Sequence, residues 1–137
     1  MQPDTSTLTS TLKEKLYILS QVGNRRVAFA DHLISGILLI ERSQILPLPF
    51  YDEMISGIVH HQGQLLTLVA LRHLVQEPLS PMREVFNAVQ LSDAAGPGLA
   101  LIVDHLLGQC DKTQLEAEEV TEFTPQILAP TLWQPRR

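Results

Sequence analysis

The stretch from Gly57 to Leu71 constrains the fold more than any other part of the chain. It places two apolar runs of strand length, Gly57-Ile58-Val59-His60 and Leu65-Leu66-Thr67-Leu68-Val69-Ala70-Leu71, on either side of Gln62-Gly63. Glycine takes a positive φ at little steric cost, so two such runs joined by so short a break read as a hairpin. The same punctuation recurs. Leu16-Tyr17-Ile18-Leu19 leads through Gly23-Asn24 to Arg26–Ala30, a second hairpin. Val85–Leu91 and Leu99–Val103 flank Ser92–Gly98, a turn centred on Gly96-Pro97-Gly98, with Gly108 closing the second strand.

The connections fit this pattern. Ile34–Ile40 is apolar and partly β-branched, a buried strand or a partly helical piece. Ile45-Leu46-Pro47-Leu48-Pro49 holds two prolines, which forbid a regular helix and suit extended edge chain. Tyr51–Ile55 allows a short turn, Arg72–Gln76 a short helix stopped by Pro78, and residues 77–83 a loop. Asp111–Thr124 is acidic and reads as helical around Gln114–Glu119, and the tail with Pro125, Pro130 and Pro135 reads as irregular. Short strands without βαβ alternation argue for small barrels or a sandwich. The 137 residues fit one domain, with a polar arm over residues 1–11, a domain over 12–137, and a partly irregular tail over 111–137.

Charge and composition exclude several functions. The chain carries 15 Asp and Glu against 10 Lys and Arg, with no basic cluster, which argues against a nucleic-acid groove or a basic membrane-surface helix. Neither a signal-peptide pattern nor a bilayer-length apolar run appears, so a cytoplasmic protein is expected. Cys110 is the single cysteine, more consistent with packing than with reactivity.

Chemistry-bearing residues are sparse. His32, His60, His61, His73 and His105 match no ligand spacing, and His60 and His61 on one strand would face apart. Asp31-His32 and Asp104-His105 are sequence neighbours that cannot act as relays if they sit on strands. No G-x-S-x-G elbow, G-x-x-x-x-G-K-[ST] loop or G-x-G-x-x-G is present. The reading is of a non-enzyme without metal or cofactor. Trp133 is either an anchor into a groove or an exposed residue. The glutamates at 116, 118, 119 and 122 make a solvated face or a charge patch for a basic partner.

Three blocks in order resemble the chemotaxis coupling-protein (CheW-like) family. The first runs from Val27-Ala28-Phe29-Ala30 through Ile34-Ser35-Gly36-Ile37-Leu38 to Ile45–Pro49 and is similar to the family's strand, V-x-E-V segment and proline-ended connector. The second, Gly57 to Leu71, resembles the signature G-V-x-N-L-R-G-x-x-x-P-V-x-D-L. The third, Leu99–Gly108, resembles the G-L-x-V-D-x-V strand. The resemblance implies a mainly β fold of two small SH3-like β-barrel subdomains packed on a shared apolar core, with short helices. It implies an adaptor that couples the signalling tips of methyl-accepting chemoreceptors to the regulatory domain of a histidine kinase, at receptor clusters on the inner face of the membrane. The positions it offers for partner binding are Ile34, Ile37, Gly57, Val59, Gln62, Gly63, Leu68, Leu71, Val103 and Asp104.

The departures are mostly at polar positions. The signature Arg is Gln62, the Glu of V-x-E-V is Gly36, the Asn and Leu are His60 and His61, the Pro is Thr67 and the Asp is Ala70. Apolar positions specify fold and exposed charges more often specify partners. A diverged self-associating module of the same fold, or a small-molecule-binding β-barrel, are therefore the rival readings. Family members usually continue with a further G-V … L-L-D-L unit, so an incomplete barrel edge is expected here, covered by the acidic segment and tail or by a second molecule.

Overall fold

The structure is a computed structural model and describes residues 16–49, 54–78, 83–117 and 119–128. The N-terminal arm, the expected turn at Tyr51, part of the proline loop and Trp133 lie outside these residues. The fold is mainly β, as expected from the short runs, and consists of two sheets.

The first sheet has the order β8-β1-β2-β9. Strands β1 (Leu16–Val22) and β2 (Arg25–Ala30) form the expected hairpin, with Val22 opposite Arg25 and only Gly23-Asn24 between them. β8 (His105–Asp111) pairs antiparallel with β1. β9 (Thr121–Glu122) runs parallel to β2 beside Val27 and Ala28. The next residue, Phe123, donates its backbone N–H to Ala28 O at 2.8 Å and sets its ring 5.1 Å from that of Phe29. The segment after the acidic stretch thus covers part of the β2 edge.

The second sheet has the order β3-β6-β7-β5-β4. β3 (Ile34–Glu41), which is strand throughout, pairs antiparallel with β6 (Val85–Leu91). β4 (Ile55–His61) and β5 (Gln64–Ala70) form the hairpin read from the sequence. Its two-residue turn has positive φ at both Gln62 (49°) and Gly63 (80°), the turn whose twist matches the flanking strands. β7 (Leu99–Val103) lies between β6 and β5, parallel to β5. Leu46 bridges Ile58 through two backbone hydrogen bonds of 2.8 and 2.9 Å, so the proline connector joins the far edge and curls the sheet towards closure.

One sheet is therefore apolar on both faces. Leu38, Ile40, Val59, Leu66, Leu68, Ala88 and Ala100 fill the interior of the five-stranded barrel. Val69, Leu71, Val89, Leu91, Leu99, Leu101 and Val103 turn outward and pack with Tyr17, Val22, Val27, Phe29 and Phe123 of the first sheet. This is the shared apolar core, and β7 alternates between its two halves.

Two local expectations are corrected. Gly108 does not close the strand that begins at Leu99. That strand ends at Val103, and Gly108 lies inside β8, on the other sheet, next to a bulge opposite Leu19 and Ser20. Asp31 and His32 are in a single 3-10 turn rather than on a strand, and Asp104 is in the bend between β7 and β8. Short helices follow β5 (α1, Leu71–Leu74) and β8 (α2, Lys112–Ala117).

Candidate partner-docking surface

The ten positions offered by the resemblance separate into interior, hinge and surface. Val59, Leu68, Leu71 and Val103 are core residues, each under 5% exposed, and shape the strands from within. Ile34 is half-buried against the shared core. Gly57 is buried with φ 147°, and a Cβ there would meet Leu46 O at 2.5 Å. Its role is the close approach of the connector to β4.

Asp104 holds the place where the chain changes sheets. Its backbone N–H donates to Gln21 O at 2.9 Å, and its carboxylate accepts the Gly23 N–H at 2.8 Å. The same carboxylate pairs with Arg72 of α1, both side chains being 13% exposed. Arg72 also donates to Pro78 O, and Glu77 accepts the Asn24 N–H at 2.9 Å. This polar knot ties the β1–β2 turn, α1 and the β7–β8 bend together. The Arg72 partner was not legible in the sequence because 32 residues separate the two.

Ile37, Gln62 and Gly63 are exposed, and the structure brings Ile37 and Gln62 to one place. A cleft of about 370 Å³ lies between the start of β3 and the tip of the β4–β5 hairpin, lined by Ser35, Gly36, Ile37, Gln62, Gln64 and Gln90 among others. Gln90 Nε2 donates to Gln64 Oε1 at 3.3 Å across it. None of its lining residues is Lys, Arg, Asp or Glu. The resemblance would place a glutamate at Gly36 and an arginine at Gln62, and both positions line this cleft. Both changes thus fall in one place and leave His61 as the one titratable side chain in its lining. A Cβ at Gly36 would meet nothing nearer than Gln90 Oε1 at 3.8 Å, so a larger side chain has room.

Other exposed apolar side chains lie on the outer face of the same sheet or its connector. Leu38 and Ile40 point into the barrel, so Ile37 and Leu39 point out; Leu39 is 71% exposed, and Val85 on the neighbouring strand is exposed too. On the β4–β5 hairpin, Leu65 lies opposite His60, and Leu46 opposite Ile58, on the outer face. Leu65 is 64% and Leu46 60% exposed. Sequence reasoning missed Leu39, Leu46, Leu65 and Val85 as surface residues because apolar runs do not show which face is covered.

Nothing in the described residues assembles three potential metal ligands. No described helix is long and apolar enough to cross a membrane.

No family model and no curated protein matches the chain by sequence. The fold does match a solved structure, the scaffolding protein TtCheW from Thermoanaerobacter tengcongensis, at TM-score 0.59 and 14% identity, over 73% of this chain and 68% of that one. Two sheets sharing one apolar core, a barrel filled by its own side chains and this structural likeness together show that the chain has the mainly β, CheW-like fold.

Proposed function

We propose that this chain is a non-enzymatic adaptor that couples a receptor to a histidine kinase in a two-component chemotaxis, phototaxis or motility pathway. It would work in the cytoplasm, at receptor clusters on the inner face of the membrane. The observation that carries the reading is the cleft at the β4–β5 tip, lined without Lys, Arg, Asp or Glu, with exposed Ile37 in its lining and Leu39 further along β3, on a fold similar to that of a scaffolding protein. Such a surface supports docking by shape and apolar burial. The partners it would hold are the regulatory domain of the kinase and the signalling tip of a methyl-accepting receptor. Holding both lets the receptor's state bias the kinase's state.

The test is size-exclusion chromatography with light scattering on the chain mixed with the regulatory domain of a kinase from the same genome. A co-eluting complex is expected. Leu39→Lys should weaken it at least about tenfold, the scale of one buried leucine at an interface. Absence of a complex with every such domain, and with receptor-tip fragments, removes the coupling reading. The ligand-barrel reading is disfavoured because Leu38, Val59, Leu66 and Leu68 occupy the barrel interior.

A further inference from the structure

The outward apolar face of the second sheet runs further than the first sheet covers it. On β6, Val89 and Leu91 turn onto that face and are buried in the shared core. The edge strand β3 carries the same face on, with Ile34 opposite Leu91, Ile37 opposite Val89, Leu39 opposite Asn87 and Glu41 opposite Val85. Cover is lost over this one step between strands. Val89 is buried, whereas Ile37 is 46% and Leu39 71% exposed.

We propose that the residues following Leu128 lie along this face, with Trp133 on Ile37 and Leu39. Three observations select that occupant. The first is where the described chain stops. Leu128 is buried in the shared core, and its side chain meets those of Leu91 and Leu99 around Gly96. Leu91 is the partner of Ile34, so residue 129 starts beside the head of β3. The second is reach. Leu39 lies four residues of strand and one strand spacing from Leu91, about 14 Å away. Five residues of extended chain from Leu128 to Trp133 span about 16 Å. The third is order. Trp133 precedes Arg136 and Arg137, as Ile37 and Leu39 precede Glu41. A segment running in the direction of β3 therefore sets the indole on the exposed aliphatic pair and brings its arginines towards the carboxylates of Glu41 and Glu84, where Arg42 already lies 3.9 Å from Glu84. The proposal concerns the chain alone and rests on no partner. A kinase domain that docks over Leu39 has to displace Trp133 first.

Trp133 is the only tryptophan in the chain, so its fluorescence reads this contact directly. In the full chain its emission should be blue-shifted, and its quenching by acrylamide slower, relative to a peptide of residues 129–137. Both differences should be independent of protein concentration. Ile37→Lys and Leu39→Lys, at exposed positions, should each move emission and quenching to the peptide values while the urea midpoint of the fold stays in place. Arg136→Glu combined with Arg137→Glu should move them part of the way. Leu65→Lys, on β5 with β7 and β6 between it and β3, should change neither. A full chain with the emission and quenching of the peptide overturns the proposal. So does a shielded tryptophan that ignores both lysines on β3 or responds equally to Leu65→Lys, which would place the ring on another surface. Shielding that disappears on dilution overturns it too, because the segment then docks on a second copy.

Discussion

Single residues hold this fold at two points where side-chain chemistry outweighs propensity. Gly57 accepts a φ of 147° with the Leu46 carbonyl oxygen 2.5 Å from where a Cβ would sit. Gly57→Ala should cost roughly 2 kcal/mol or more, read as a lower urea midpoint, because strain and a backbone clash act together. Asp104 is the second point. Its ion pair with Arg72 is largely shielded from water, so Asp104→Asn leaves a guanidinium without its counter-charge and should cost about 3 kcal/mol. Arg25 and Glu77 are 3.7 Å apart with Arg25 nearly half exposed, and Arg25→Ala should cost under about 1 kcal/mol. Equal losses in the two variants would refute the claim that shielding sets the difference. Neither Gly57 nor Asp104 discloses its job in the sequence. A glycine before an apolar run reads as a strand start, and nothing near Asp104 in the chain points to Arg72.

At the scale of elements, local signals were read correctly and non-local ones were not. Gln62-Gly63 and Gly23-Asn24 announce hairpins because turn geometry depends on the turn residues themselves. The switch at Asp104 was missed because Asp104-His105 is a brief polar break within an otherwise apolar stretch, and only long-range pairing divides that stretch between two sheets. The cleft was half legible. Gly36 and Gln62 stood out as departures from a pattern, yet their meeting follows from the curl of the sheet, which no sequence window contains. β9 makes the same point, since two paired residues carry little propensity and Phe123 does the anchoring at 2% exposure. Phe123→Ala should destabilise by about 3–5 kcal/mol and should raise amide exchange along β2 before the rest of the first sheet. Exchange rising evenly over both sheets would mean that β9 is part of the common core rather than a local cover.

Across the whole molecule, the shared core decides how the parts behave together. Tyr17, Val27 and Phe29 of the first sheet are buried against Val69, Leu101 and Val103 of the second, so neither sheet keeps its apolar face covered if the other leaves. The chain should unfold in one cooperative step, with far-ultraviolet and near-ultraviolet circular dichroism giving the same midpoint. Two separated transitions would show that the sheets are independent domains.

β7 carries a further consequence, in time rather than in space. Its partners in β5 lie far back along the chain, with Thr67 beside Leu99, and its side chains enter both halves of the apolar interior. A ribosome making this chain has released β1 to β6 before the piece that joins them emerges. Until then the hairpins can form, but the barrel lacks its central stave and the outer sheet lacks its floor. Pairing over such separations is slow because loop closure precedes any gain from contact. The growing chain therefore spends its synthesis with apolar strands uncovered, and shielding by a chaperone matters most in the interval just before Leu99–Val103 arrives.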